Sequence, residues 1–238
     1  MFTPVLTAQS LTKTYGSTVA LAGVSLQIGV AEAVAVMGAS GSGKTTLLHC
    51  LAGIITPDNG TVTLHAPQGP QQVHQLPPEG RARLRRDHYG FVFQQGLLLP
   101  ELTAVENVAL PLLLGGTERR AAEAEAARWL HHLGLAGMED RRPGQLSGGQ
   151  AQRVAVARAQ VTGPAVVFAD EPTGALDSRT SAQVMQALLD TTVGAGRSLV
   201  VVTHDEQVAA GCHRVVRLRD GLVVQEHAGG ARPAEVVA

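Results

Sequence analysis

The chain has 238 residues, enough for one large domain or two closely joined subdomains. Hydrophobic residues make up 45% and aromatics only 3%, so the core must be built from Val, Leu and Ala. A formal net charge of −1 without a long basic block argues against nucleic-acid binding, and the short runs Arg81–Arg86 and Arg141-Arg142 read as solvated faces.

Val5–Tyr15 and Val19–Ile28 read as strands with Gly16 at the turn between them. Ala33–Met37 is a short apolar run of the kind that forms a buried strand. It leads into a glycine-rich loop, and Lys44–Ala52 then has helical character, with Cys50 on its apolar face as a buried, reduced thiol. Cys50 and Cys212 lack metal-ligand spacing. Thr61–Leu64 reads as a strand. Residues 65–80, rich in Pro, Gln and Gly, read as a surface loop carrying His65 and His74. Glu79–Asp87 is predicted as a short helix and Tyr89–Phe93 as a strand. A mainly helical stretch follows over 101–163, including Thr117–Leu133 and Gly149–Val161. Strands return at Ala165–Ala169, Ser198–Thr203, Arg214–Leu218 and Leu222–Gln225, with a helix at Ser178–Thr192. The last two strands make a hairpin around Asp220-Gly221, and 227–238 read as a frayed tail. Met1–Gln9 does not read as a secretory signal, and the apolar stretch Val19–Val36 is broken by Gln27 and Glu32 well short of the ~18 consecutive apolar residues of a membrane span.

The chemistry concentrates at strand ends. Gly38-Ala39-Ser40-Gly41-Ser42-Gly43-Lys44-Thr45 fits G-x-x-x-x-G-K-[ST] at every fixed position, between a predicted strand and a predicted helix. Backbone N–H groups of such a loop, aimed by a helix N-terminus, suit the about four negative charges of a nucleoside triphosphate such as ATP. Lys44 can neutralise the β- and γ-phosphates, and Thr45 can offer its hydroxyl to magnesium. Asp170 closes an apolar strand and suits the second magnesium position. Glu171 directly follows and can polarise an attacking water. His204 ends the run Leu199–Val202, where it would face the ligand crevice and hold the γ-phosphate. Tyr15 at a strand end is a candidate adenine platform. Gln94, after Phe93, is a candidate magnesium or water ligand that would report the phosphate state to the helical region, with Gln95 as its competitor.

Together these residues resemble the ATP-binding cassette family over roughly 5–226. LTKTYG resembles its aromatic loop, GASGSGKT its Walker A, FVFQQ its Q-loop, LSGGQAQRVAVARA its signature helix, FADEPTGALD its Walker B and D-loop, and VVTHD its switch histidine. The resemblance implies a RecA-like α/β P-loop NTPase core with an antiparallel β subdomain, over about 1–94 and 164–226. It further implies an α-helical subdomain over about 95–163. It extends the ATP-binding set to Thr46 and Asp177. It also implies head-to-tail pairing with a second copy, so that Ser147, Gly148, Gly149 and Gln150 of one chain close over the Walker A of the other. GFVFQQGLLLPELTAVENVALPLLL and ADEPTGALDSRT are similar to cassettes of the macrolide-exporter and lipoprotein-release type, which work with separate integral membrane permeases. Ala151 departs from that pattern, standing where a second Gln is common after the signature.

The expectation is therefore a magnesium-dependent ATPase subunit at the cytoplasmic face of the membrane. It would be held there by a permease docked near Gln94–Leu102 and would not itself contact the transported substrate. The rival reading is a soluble cassette ATPase that works without a permease, such as a cofactor-assembly scaffold. DNA-repair and translation relatives fit less well, because the stretch from Lys44 to Ser147 is too short for a coiled-coil insertion and only one cassette is present.

Overall fold

The computed structural model describes residues 3–230. Two sheets share the chain. Strands β1 (Pro4–Tyr15), β2 (Thr18–Gly29), β4 (Asn59–Ala66) and β5 (Gly69–Gln72) form an antiparallel sheet in the order β2-β1-β4-β5. The second sheet contains β3 (Ala33–Met37), β6 (Tyr89–Phe93), β7 (Val166–Asp170), β8 (Ser198–Val202), β9 (Arg214–Arg219) and β10 (Leu222–Ala228). Its order is β10-β9-β3-β8-β7-β6, all parallel except the β9–β10 hairpin. The helices are α1 (Lys44–Leu51), α2 (Pro78–His88), α3 (Ala104–Leu114), α4 (Arg119–His132), α5 (Gly148–Gln160), α6 (Ser178–Thr192) and α7 (Glu206–Ala210).

The central parallel strands β3, β7 and β8 are nearly continuous apolar runs because both faces are covered. Successive side chains go to opposite cores. Ala33, Ala35 and Met37 join Leu199, Val201, Val167 and Ala169 in a core covered by α3, α4, α5 and α6. Val34 and Val36 join Val200, Val202, Val166 and Phe168 in a second core with α1 and the antiparallel sheet. Tyr89 meets Phe168 edge-on at 5.1 Å between ring centroids, supplying bulk that an aromatic-poor chain otherwise lacks. Among the described residues no helix is long and apolar enough to cross a membrane.

Several boundaries differ from the sequence reading. The stretch 65–80 is not one loop: Thr63–Ala66 pair with Gly69–Gln72, a short 3-10 turn covers Val73–Gln75, and α2 begins at Pro78. Its polar alternation belongs to an edge strand, which needs only one buried face. His65 bonds Thr7 Oγ1 at 3.0 Å, and His74 Nδ1 sits at the Val62 backbone, so both histidines serve the sheet. The expected tail begins too early, because β10 continues to Ala228 opposite Arg214, and the Gly229 N–H donates to His213 O at 2.7 Å. Residues 231–238 of that expectation lie outside the described residues. Helix α7 was not expected; Asp205 caps it, accepting from the Gln207 N–H at 2.7 Å. The basic run on α2 is partly structural: Arg85 donates to Gly53 O at 2.8 Å and Arg81 to Leu76 O at 2.8 Å. Cys50 and Cys212 are both buried free thiols, and burial pushes each up to about 12.

Candidate active site

The glycine loop leaves the C-terminal end of β3, where β8 and β7 also end. Parallel strands deliver their carboxyl ends to one edge, so residues far apart in sequence converge there. A cavity of about 610 Å³ opens at this edge. Gly38, Ala39, Ser40, Gly41, Gly43, Lys44, Thr45 and Thr46 form its floor. Asp170, Glu171 and His204 form one wall, while Thr18 and Ala20 of β2 with Val202 complete the lining. Thr18, Ala20 and Val202 had no signal in the sequence as site residues; Thr18 and Ala20 come from β2, which passes over the loop, and Val202 from the end of β8 beside β3.

Local geometry explains the residue types. Gly43 precedes α1 with φ 102°, and a Cβ there would collide with the Ala20 carbonyl. Both facts demand glycine. Lys44 folds back across the loop, its Nζ donating to Gly38 O at 2.8 Å and Ala39 O at 2.9 Å. Its charge faces the cavity, and among the described residues it forms no salt bridge. Ser42 is buried, and its Oγ has no hydrogen-bond partner.

The two acids present a geometric problem, since consecutive strand residues point oppositely. The chain solves it at Glu171, whose φ of 47° is left-handed. The Glu171 N–H still donates to Val202 O at 2.9 Å, anchoring the turn. Both carboxylates therefore line one cavity. Such a conformation in a non-glycine residue costs of order 1–3 kcal/mol and survives where the surroundings over-determine it. Thr45 Oγ1 donates to Asp170 Oδ2 at 3.4 Å. Burial pushes the Asp170 carboxyl above the ordinary carboxylate range; His49 opposes this and Glu171 adds to it. His204 Nδ1 lies 2.9 Å from Glu171 Oε1, and that hydrogen bond raises the imidazole above its usual value.

The remaining sequence-predicted residues lie outside this cavity. Tyr15 is 51% exposed, with Lys13 Nζ 5.8 Å from its ring centre. Gln94 is exposed after β6; a Cβ added at Gly174 would lie 2.9 Å from its Nε2, so its amide rests against the segment that follows Glu171. Ser147 caps α5 in a capping box: its Oγ accepts from the Gln150 N–H at 3.3 Å, and Gln150 Oε1 accepts from the Ser147 N–H at 2.9 Å. Ser147 and Gly148 are exposed, whereas Gly149 is buried against α6. A Cβ on Gly149 would collide with Thr180 Cγ2. Thr180 is in turn held by Asp177, which caps α6 and accepts from Thr180 Oγ1 at 2.6 Å. Asp177 and the signature glycine are thus coupled through one threonine, a link invisible in the linear pattern.

A cavity floored by a glycine loop at a helix N-terminus and walled by two carboxylates, at the carboxyl edge of a parallel sheet, defines a P-loop nucleoside triphosphatase of mixed α/β architecture. The ABC transporter family profile matches residues 21–174, and the chain belongs to that family, as an ABC ATPase domain that binds ATP. It is 43% identical, over 98% of its length, to the pyoverdine export ATP-binding/permease protein PvdT of Pseudomonas putida. It is 42% identical, over 99% of its length, to the macrolide export ATP-binding/permease protein MacB of Hyphomonas neptunium. The chain spans 36% of the length of each of these curated relatives. It also resembles the ATP-binding cassette MJ0796, solved as a dimer in a post-hydrolysis state bound to ADP and Pi, with 40% identity and a TM-score of 0.83. That match covers 94% of this chain and 98% of the other.

Proposed function

We propose that this ABC ATPase powers an exporter-type permease and that its working unit is a head-to-tail pair of copies. One observation carries the reading. The cavity gathers Lys44, Thr45, Asp170, Glu171 and His204, yet Ser147 and Gly148 stand exposed at the N-terminus of α5, outside it. A helix N-terminus with a free face attracts anions. Within one chain this face lies outside the nucleotide cavity; across a dimer it would meet the γ-phosphate held by the partner. The dimeric form of the solved relative supports this pairing, and the names of PvdT and MacB support export. Those relatives are named as joint ATP-binding/permease proteins, so the reading concerns a permease partner and does not depend on its being a separate polypeptide.

In this scheme loop N–H groups and Lys44 hold the β- and γ-phosphates, and His204 holds Glu171 in place through its ring nitrogen. Glu171 takes the proton of the water that attacks the γ-phosphorus. The donors for magnesium fit: a hydroxyl and a partly buried carboxylate 3.4 Å apart are oxygen ligands that leave the remaining positions to phosphate and water. When bound, magnesium supplies neutralisation of the developing phosphate charge. Gln94, Tyr15 and Asp177 remain proposed contacts, each made once the nucleotide and the second copy are in place.

The pairing is tested with a Glu171→Gln chain, which should dimerise on adding ATP. A second change, Ser147→Arg, places a bulky cation where the signature helix must approach the triphosphate. It should abolish ATP-driven dimerisation in sedimentation experiments while leaving ATP affinity of the monomer within about twofold. A Glu171→Gln protein that stays monomeric at saturating ATP defeats the shared site.

The permease contact is assigned to the segment after Gln94. Leu97 is 59% and Leu99 43% exposed, whereas Leu98 packs against the helical core. Exposed leucines this close together mark an interaction surface. Leu97→Glu or Leu99→Glu should therefore lower recovery of the chain with its co-expressed permease while leaving basal ATP hydrolysis unchanged. Undiminished co-purification for both would move the docking site elsewhere.

A further inference from the structure

Helix α5 carries more than the signature at its N-terminus: its side chains grip the end of β6 and the segment after it at three backbone carbonyls. Gln152 Nε2 donates to Phe93 O at 2.9 Å. Arg158 donates through Nη2 to Gly96 O at 2.6 Å and through Nη1 to Leu97 O at 2.9 Å. Gly96 and Leu97 are both left-handed, with φ of 67° and 44°. A leucine keeps that conformation only where its surroundings impose it. Here the guanidinium fork closes on both carbonyls at once, a geometry that a planar donor pair suits.

Arg158 is half-buried, and among the described residues it forms no ion pair. Taking a guanidinium out of water without a carboxylate is unfavourable, so such a residue is retained for what its hydrogen bonds hold. It does not line the nucleotide cavity. What it holds is the backbone at Gly96 and Leu97, whereas Leu99 is held by Asn107 of α3, whose Oδ1 accepts from the Leu99 N–H at 2.8 Å and whose Nδ2 donates to Leu99 O at 3.1 Å.

We propose that Arg158 is a positioning residue that ties the Leu97 end of this exposed surface to α5, so that Leu97 follows the helix whose N-terminus carries Ser147. Displacement of α5 as ATP is sandwiched then shifts Leu97 directly, without a change in its own packing. The inference rests on the reading that this surface takes the permease, but the linkage itself can be measured with no membrane protein present.

The test is an environment-sensitive fluorophore on Leu97→Cys in the 238-residue Glu171→Gln chain; the native Cys50 and Cys212 are buried and remain unlabelled. Adding ATP and magnesium should change the emission. Arg158→Met should remove most of that change, because nothing then ties the Leu97 carbonyl to α5, while affinity for a fluorescent ATP analogue stays within about twofold. Arg158→Lys, which keeps the charge and can reach one carbonyl, should recover part of the amplitude. Should Arg158→Met not fold, Arg158→Gln carries the same readout. A full ATP response in the Met or Gln chain overturns the proposal, as does the absence of any ATP response in the parent. A loss matched by an equal fall in ATP affinity, with no recovery in Lys, also overturns it by showing a general structural role. Failure of the docking reading looks different: the fluorescence pattern stands, and the glutamate variants at Leu97 and Leu99 still co-purify with the permease.

Discussion

Glu171→Gln is expected to lower steady-state phosphate release by about 10²–10⁴-fold, the usual contribution of a positioned general base. The amide matches the carboxylate in volume, so the left-handed turn at Glu171 and its N–H bond to Val202 O persist. What disappears is the group able to accept a proton from water. ATP binding should survive, because the loop and Lys44 are untouched, and the bound dimer should accumulate. His204 loses the partner that raises its pKa, so its imidazole should titrate closer to its ordinary value, a change that NMR can follow. Phosphate release at the parent rate would remove Glu171 from the base role.

Lys44→Ala acts one step earlier. Its ammonium is the cation standing over the loop, held by two carbonyl bonds at 2.8 and 2.9 Å until phosphate takes its place. Hydrogen bonds to charged groups are worth about 1.5–3 kcal/mol, and about 1.4 kcal/mol is a factor of ten in affinity. ATP affinity should therefore fall by about tenfold to a hundredfold. Thermal stability without nucleotide should change little, since Gly38 and Ala39 border an open cavity where water can replace Nζ. Titration with a fluorescent ATP analogue measures the first effect and a melting curve the second. An unchanged affinity would mean that the glycine loop is not the phosphate site. A collapsed melting temperature would make Lys44 a structural residue.

Much of this protein was legible in its linear pattern, for physical reasons. A strand buried on both faces is a nearly continuous apolar run, so Ala33–Met37 and Leu199–Val202 announced themselves. A phosphate loop requires glycines and a lysine at fixed spacing, because each step of the backbone must turn an N–H inward. Acids and a histidine at strand ends could be assigned to one edge before any coordinates, since parallel strands all finish there. Edge features were harder to read. The strand β5, the extension of β10 to Ala228 and the short α7 carry no strong pattern of their own; hairpin pairing with β4 and β9 holds the two strands, and the neighbouring Asp205 caps the helix.

The sequence by itself determined the class of chemistry: which residues can hold a triphosphate, which can bind a cation, and which can take a proton. Only the tertiary structure decided how they meet. The left-handed turn at Glu171 brings two neighbouring carboxylates into one cavity, which alternation along a strand would forbid. Gly149 is required by Thr180 across the α5–α6 contact, a packing constraint that no spacing rule contains. Arg158 reaches back across some sixty positions of sequence to the loop after β6, with separations of 61 and 62 residues. The reason is common to all three. A chemical group is a property of its residue, but its direction and its neighbours come from backbone angles and packing that depend on the whole chain.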